Sequence, residues 1–205
     1  MKLTRTLCRS FCLQLCSLCL VIATGVPDAA VAQSRDNDNE TSTLIRAMEG
    51  SWGVEEWMWE GPGAEATPLS AAVAERRAIG GGFIQEVMST PAGAKDSFTR
   101  ISYFGYNPVN RQYEYFSFDT RAPQMMNERS SDASFGTAGS PGVNLLGGTF
   151  IAPQWGNTAN AAFRYRIVVG LVQNDRQQVD LYLTPLSATA QPEFRAFRYV
   201  YTRRK

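Results

Sequence analysis

Apolar and polar positions alternate with a period of two along most of the chain. The clearest run is Phe163, Tyr165, Ile167, Val169 and Leu171, with Arg164 and Arg166 between them; Val179, Leu181 and Leu183 repeat it. Side chains two apart share one face of a strand, so such runs predict strands with one face in a core. Ten strands are expected, over residues 51–60, 69–79, 82–90, 96–106, 111–120, 125–135, 142–151, 161–173, 176–184 and 192–203. Turn residues separate them, among them Gly61-Pro62-Gly63, Gly80-Gly81-Gly82, Asn107-Pro108 and Asn174-Asp175. Gly147-Gly148, inside one predicted strand, marks a bulge or sharp bend. Before the first strand, residues 42–49 place Leu44, Ile45 and Met48 on one side of a short helix. The pattern predicts an all-β fold: a roughly ten-stranded antiparallel up-and-down β-barrel preceded by a short N-terminal helix. A two-sheet sandwich is the alternative. Closure favours the barrel, because it removes free strand edges.

The first 32 residues break this pattern. Lys2, Arg5 and Arg9 precede an apolar run from Phe11 to Ala23, and Ala30-Val31-Ala32 forms a small-x-small cleavage signal. A secretory signal peptide over 1–32 is expected, with export to a periplasmic or extracellular location. Residues 33–43 are polar and read as a flexible tether, leaving a single barrel domain over 44–205. No later apolar run is long enough for a membrane-spanning helix, which needs about 20 residues.

Cleavage changes the available chemistry. Cys8, Cys12, Cys16 and Cys19 all fall in the leader, so the mature chain has no disulfide. Removing three basic residues and one acidic one leaves 17 against 18, without the basic excess that nucleic acid binding needs. The chain has no histidine, hence neither the commonest general base nor the commonest metal ligand. No metal and no cofactor is expected, haem included.

Three of the four tryptophans, Trp52, Trp57 and Trp59, crowd into MEGSWGVEEWMWEG, residues 48–61. A short helix followed by Gly50-Ser51-Trp52, an antiparallel meander and a terminal Tyr201-Thr202-Arg203 resembles the calycin barrels: lipocalins, fatty-acid-binding proteins and their bacterial relatives. The resemblance implies that Trp52 closes one barrel end and that Arg203 packs across its ring. Guanidinium stacks on indole while its donors stay free for carbonyls. A closer resemblance covers nearly all of residues 33–205. Leu44 with Gly50-Ser51-Trp52, Arg77-Ala78-Ile79-Gly80-Gly81-Gly82-Phe83 with Glu86, Phe104-Gly105-Tyr106-Asn107-Pro108, Met125-Met126 and Tyr201-Thr202-Arg203 are similar to a bacterial family of unknown function. Asn107 and Asn127-Glu128-Arg129 depart from that family's pattern. The family implies a calycin-like barrel and little about a ligand.

Parity from Trp52 points Glu56 and Met58 inward and Trp57 and Trp59 outward. The outer pair either forms a contact surface or packs under the helix or a loop. An inward carboxylate needs a partner. Arg195, on the parity of Phe197, Tyr199, Tyr201 and Arg203, is the expected one for Glu56. Glu86, Arg100, Met126 and Tyr199 complete the candidate ligand-binding set with Glu56, Met58 and Arg195. The Glu–Arg pairs serve either as a structural network or as polar anchors for a ligand head group. The expected function is an exported barrel holding a small hydrophobic or amphipathic molecule. Acid–base catalysis by carboxylate and tyrosine in the cavity, and a filled barrel acting through its surface, are the alternatives; a homo-oligomer is left open.

Overall fold

The structure, a computed structural model, describes residues 43–80, 82–129, 142–186 and 191–205. The expected leader (1–32) and all of the expected tether except Thr43 lie outside the described residues. Thr43 instead opens helix α1 (residues 43–48). Eleven strands follow: β1 (Gly50–Met58), the two-residue β2 (Thr67–Pro68), β3 (Ala72–Ile79), β4 (Phe83–Ser89), β5 (Thr99–Asn107), β6 (Gln112–Asp119), β7 (Ala122–Arg129), β8 (Gly142–Trp155), β9 (Thr158–Gly170), β10 (Arg176–Pro185) and β11 (Phe194–Arg203). All pairings are antiparallel, in the order β11-β10-β9-β8-β7-β6-β5-β4-β3-β1, and β11 pairs back onto β1. The ten long strands thus make a nearly closed up-and-down barrel, and β2 is a short addition beside Trp57 and Met58.

The closing seam is long and regular, from Trp52↔Arg203 to Met58↔Phe197. The weak joint lies opposite. Among the described residues β7 and β8 share one register pair, Arg129↔Leu146. Beyond it β8 shifts register against β9 between Leu146 and Thr149, at the Gly147-Gly148 step. A side chain at Gly147 would strike the Tyr165 ring, whose nearest atom lies 2.1 Å from the position a Cβ would take. Glycine here lets the ring press onto the backbone and lets the strand bend. The β8–β9 hairpin therefore runs to Trp155 and Thr158, several residues longer than the sequence pattern predicts. Its tip is rich in Ala, Gly and Asn, so it carries little alternation.

Two apolar clusters fill the ends. One gathers α1, Trp52, Val54, Ile84, Phe104, Tyr113, Leu145 and Tyr201. The other gathers Phe163, Leu183, Phe194 and Ala196 with Trp59, Phe150, Trp155 and Phe197. Between them lie buried charges and a cavity.

Candidate functional site

At the α1 end the barrel is plugged. Trp52 has no exposed surface, and its indole N–H donates to the Met48 carbonyl at 3.0 Å. Arg203 lies 4.2 Å from the ring centroid and donates to the carbonyls of Glu49 and Ala47. Gly50, at φ 121°, leaves room for that guanidinium: a Cβ there would sit 2.7 Å from Nη1. Arg76 is the second cation beside Trp52, 5.4 Å from its centroid and 3.9 Å from that of Tyr201.

Arg76 begins an ion network across the barrel's middle. It donates to Glu86 at 2.7 Å, and Arg100 donates to the other Glu86 oxygen at 2.9 Å. Burial alone would raise the Glu86 carboxyl, but the two guanidiniums outweigh it and hold it at about 2. Arg100 makes all its hydrogen bonds through Nη2, to Glu86, the Tyr201 hydroxyl and the Met88 sulfur; its buried Nε has no partner. Its guanidinium lies 4.4 Å from the Tyr199 centroid. Burial also raises the Tyr199 and Tyr201 hydroxyls well above the usual range, so both are neutral donors at ordinary pH.

Above Arg100 opens a cavity of about 370 Å³. Its wall is largely apolar, from Met58, Met126, Phe150, Ile167, Leu181 and Phe197 among others. Arg100, Tyr115, Ser117 and Tyr199 give it a polar floor, and Glu60, Asp96 and Asp119 are the acids among its lining residues. A void of about 20 Å³ lies on the other side of Arg100 and Tyr115, room for about one water. Among the described residues no group of three acidic side chains converges as a metal site.

Of the residues singled out from sequence, Met58, Arg100, Met126 and Tyr199 line the cavity. Glu86 lies below it, lining the small void. Glu56 is buried but paired with Arg121, 2.7 Å away, rather than with Arg195. Burial raises the Glu56 carboxyl, and Arg121 offsets only part of that rise. Arg195 is on the outer face, near Asp180 and 5.3 Å from the Trp59 centroid. The reason is a register shift: Leu181 pairs with Phe197 but Tyr182 with Arg195, so the bulge at Ala196 switches the parity of β11. Trp57 and Trp59 are both half-buried, the first beside Pro68 of β2, the second against the cluster around Phe194.

Four residues that sequence reasoning passed over belong to this interior. Arg76 and Tyr115 complete the network and the floor. Arg121, from the β6–β7 turn, holds Asp119 through two nitrogens as well as Glu56 and lies 3.7 Å from the Phe98 centroid. Glu128 is fully buried and neither carboxyl oxygen has a hydrogen-bond partner. Burial pushes it to about 8, and the nearby Tyr165 hydroxyl and more distant Arg100 offset only part of the rise. For Arg76 and Glu128 a signal existed: each is a charged residue on the apolar parity of its strand. Arg121, in a turn, offered none.

A family model described as "Protein of unknown function (DUF1579)" matches residues 38–203. Among solved structures, the "Crystal Structure of Rv2717c from M. tuberculosis" is similar at 14% identity, covering 80% of this chain and 98% of that one with a TM-score of 0.50; the likeness is one of fold. No curated protein matches in sequence.

Proposed function

The chain belongs to the DUF1579 family of proteins of unknown function, and from that premise we propose that it is an exported, calycin-like carrier barrel. Its ligand is a small amphipathic molecule, apolar tail against the cavity wall and polar head on the floor. The cavity itself carries this reading. At about 370 Å³ it has the size of a small-molecule site, and its apolar wall with a few convergent polar groups has the usual composition. The floor favours an acidic head. Arg76 and Arg100 share the single carboxylate of Glu86, so that Arg100, the one of the two that lines the cavity, is only partly neutralised by it. Arg100 holds one unpartnered donor, its Nε, in the planar fork that suits a carboxylate. The Trp52–Arg203 plug supports the calycin-like assignment. The basic start, apolar run and Ala30-Val31-Ala32 support export.

The test is a fluorescence titration with the neutral apolar probe N-phenyl-1-naphthylamine, followed by displacement with a long-chain carboxylate. Saturable uptake that Ala152→Trp abolishes by filling the cavity is the expected outcome. A chain that takes up no probe, or an Ala152→Trp variant that binds as well as the parent, overturns the reading.

A further inference from the structure

The outer surface of the barrel has two unlike sides. On β9, β10 and β11 it carries paired charges, Arg166 with Glu193 at 2.6 Å and Arg198 with Asp180 at 2.8 Å. Among the described residues, β1, β9, β10 and β11 hold no exposed large apolar side chain. Across β4–β7 the pattern reverses. Val87, Ile101, Phe118 and Met125 are successive register partners on four neighbouring strands. They are 41%, 37%, 39% and 74% exposed. Register partners on one face have Cβ atoms about 5 Å apart, so the four make one continuous apolar row. Apolar side chains joined in this way mark a contact surface, whereas scattered ones do not.

Two residues along each strand lies a second row on the same face: Gln85, Tyr103, Phe116 and Asn127. The Tyr103 and Phe116 rings are 6.2 Å apart. Polar groups of this row are already engaged. Arg77 Nε donates to Gln85 Oε1 at 2.6 Å, and Gln85 Nε2 donates to the Tyr103 hydroxyl at 2.7 Å. Covering the row therefore leaves those groups bonded, which keeps the cost of removing water low. Each row ends on β3 at an exposed charge. Glu75 is the register partner of Val87, and Arg77 that of Gln85.

Size and charge together select an occupant. Five strands about 4.8 Å apart and two rows about 7 Å apart give a field on the order of 300 Å². That is large for an exposed patch on a monomer, and smaller than the ~800 Å² a side of a standard stable interface, so it suits a reversible pair. The charged margin is self-complementary. A two-fold axis crossing the strands between the two rows lays each row on the other row of a second copy. Phe118 then faces the partner's Phe116, Ile101 the partner's Tyr103, and Glu75 the partner's Arg77. Two sheets stacked face to face in this way pack about 10 Å apart, the usual spacing. An anionic membrane would need a basic margin instead, and this one carries one charge of each sign.

We propose that the outer face of β3–β7 is a homodimer surface, on which two copies stack about this two-fold axis. Val87, Ile101, Phe118 and Met125 form its apolar centre, and Glu75 and Arg77 pair across its margin. The inference goes beyond the carrier reading and does not depend on it. Arg100, Tyr115 and Met126 line the cavity from the opposite face of the same strands.

The experiment is sedimentation velocity of the full chain, with Cys8, Cys12, Cys16 and Cys19 replaced by serine, from about 5 to about 500 µM. A monomer–dimer equilibrium with a dissociation constant of roughly tens of micromolar is expected for a field of this size. Phe118→Gln with Met125→Gln, both at exposed positions, should weaken it at least about tenfold, with circular dichroism unchanged. Glu75→Lys should weaken it by about tenfold, because like charges then meet across the axis. Adding Arg77→Glu reverses both signs and should restore the parent value to within about threefold. That rescue is the mark of a second copy, since any other partner would be repelled by the reversed pair. A chain monomeric throughout the range overturns the proposal. So does association that ignores the Phe118 and Met125 changes, or a double charge reversal as weak as Glu75→Lys alone. A monomer that floats with neutral phosphatidylcholine vesicles, and loses this with the Phe118 and Met125 changes, overturns it in favour of a lipid surface.

Discussion

Trp52 and Trp155 do the same local thing at opposite ends of the barrel. Each donates its indole N–H to a backbone carbonyl of a neighbouring element, Met48 for one and Glu60 for the other. Trp52 is sealed in the core between strands that pair without a break, with Arg203 and Arg76 beside its ring. Trp155 is half-buried and holds the tip of a hairpin whose other edge, among the described residues, shares one register pair with β7. One tryptophan completes a wall; the other holds a cap above a space. A hydrogen bond and a large ring close a barrel end only where the surrounding ladder is continuous.

The contrast can be broken by truncation. Trp52→Ala should cost about 3–5 kcal/mol, the range for a fully buried aromatic, and Trp155→Ala distinctly less. Urea denaturation of the two variants measures this; equal costs would mean that the hairpin cap is as integral as the plug. Next in size is the response to acid. Glu86 titrates near 2 in the fold against 4.5 as its ordinary value, so its contribution is present above pH 4.5 and is lost as pH falls toward 2. The shift corresponds to on the order of 3 kcal/mol. Glu128 has the opposite sign. Its folded value of about 8 means that stability declines as pH rises from 4.5 through 8, because the buried carboxyl must ionise. Stability measured from pH 4 to 9 should therefore fall across that window, and Glu128→Gln should flatten the curve. An unchanged slope in Glu128→Gln would mean the carboxyl is already solvated in the fold.

Smaller effects sharpen the picture. Arg203→Ala should cost about 1–3 kcal/mol through lost stacking and carbonyl bonds. In a double-mutant cycle with Trp52→Ala the coupling should exceed about 0.5 kcal/mol, and strict additivity would show that the two do not act as one plug. Tyr165→Phe keeps the ring on Gly147 and removes the hydroxyl that accepts from Asn127 N–H and lies near Glu128. About 0.5–1.5 kcal/mol is expected, with faster amide exchange at Asn127 than elsewhere in β7. Exchange unchanged at Asn127 would mean that the hydroxyl is not its partner.

The plug was legible through resemblance: Gly50-Ser51-Trp52 and the terminal Tyr201-Thr202-Arg203 are similar to the calycin pattern, which implies an arginine across the tryptophan ring. Strand order was legible too, since alternation and turn residues are local. The interior charges were less so. Arg195 was misplaced because a single bulge reverses parity for everything beyond it, and a bulge depends on the partner strand rather than on the strand itself. Glu56 finds its partner 65 positions away in a turn, where no periodicity points. Gly147-Gly148 announced a bend, but nothing local says that Tyr165 of β9 would press on it or against which strand the register would shift.

The pairing of β1 with β11 has a consequence for how the chain acquires its shape. Arg203 reaches carbonyls 154 and 156 residues earlier, so the contacts that finish the barrel are also the most distant in sequence. Such contacts form only after the entropy of a very long loop has been given up, which slows folding. While the chain is being synthesised, every intermediate that lacks β11 exposes β1 and the last strand made as two bare edges. Those edges are sticky, and a chaperone that holds them would keep the polypeptide open until its last strand arrives.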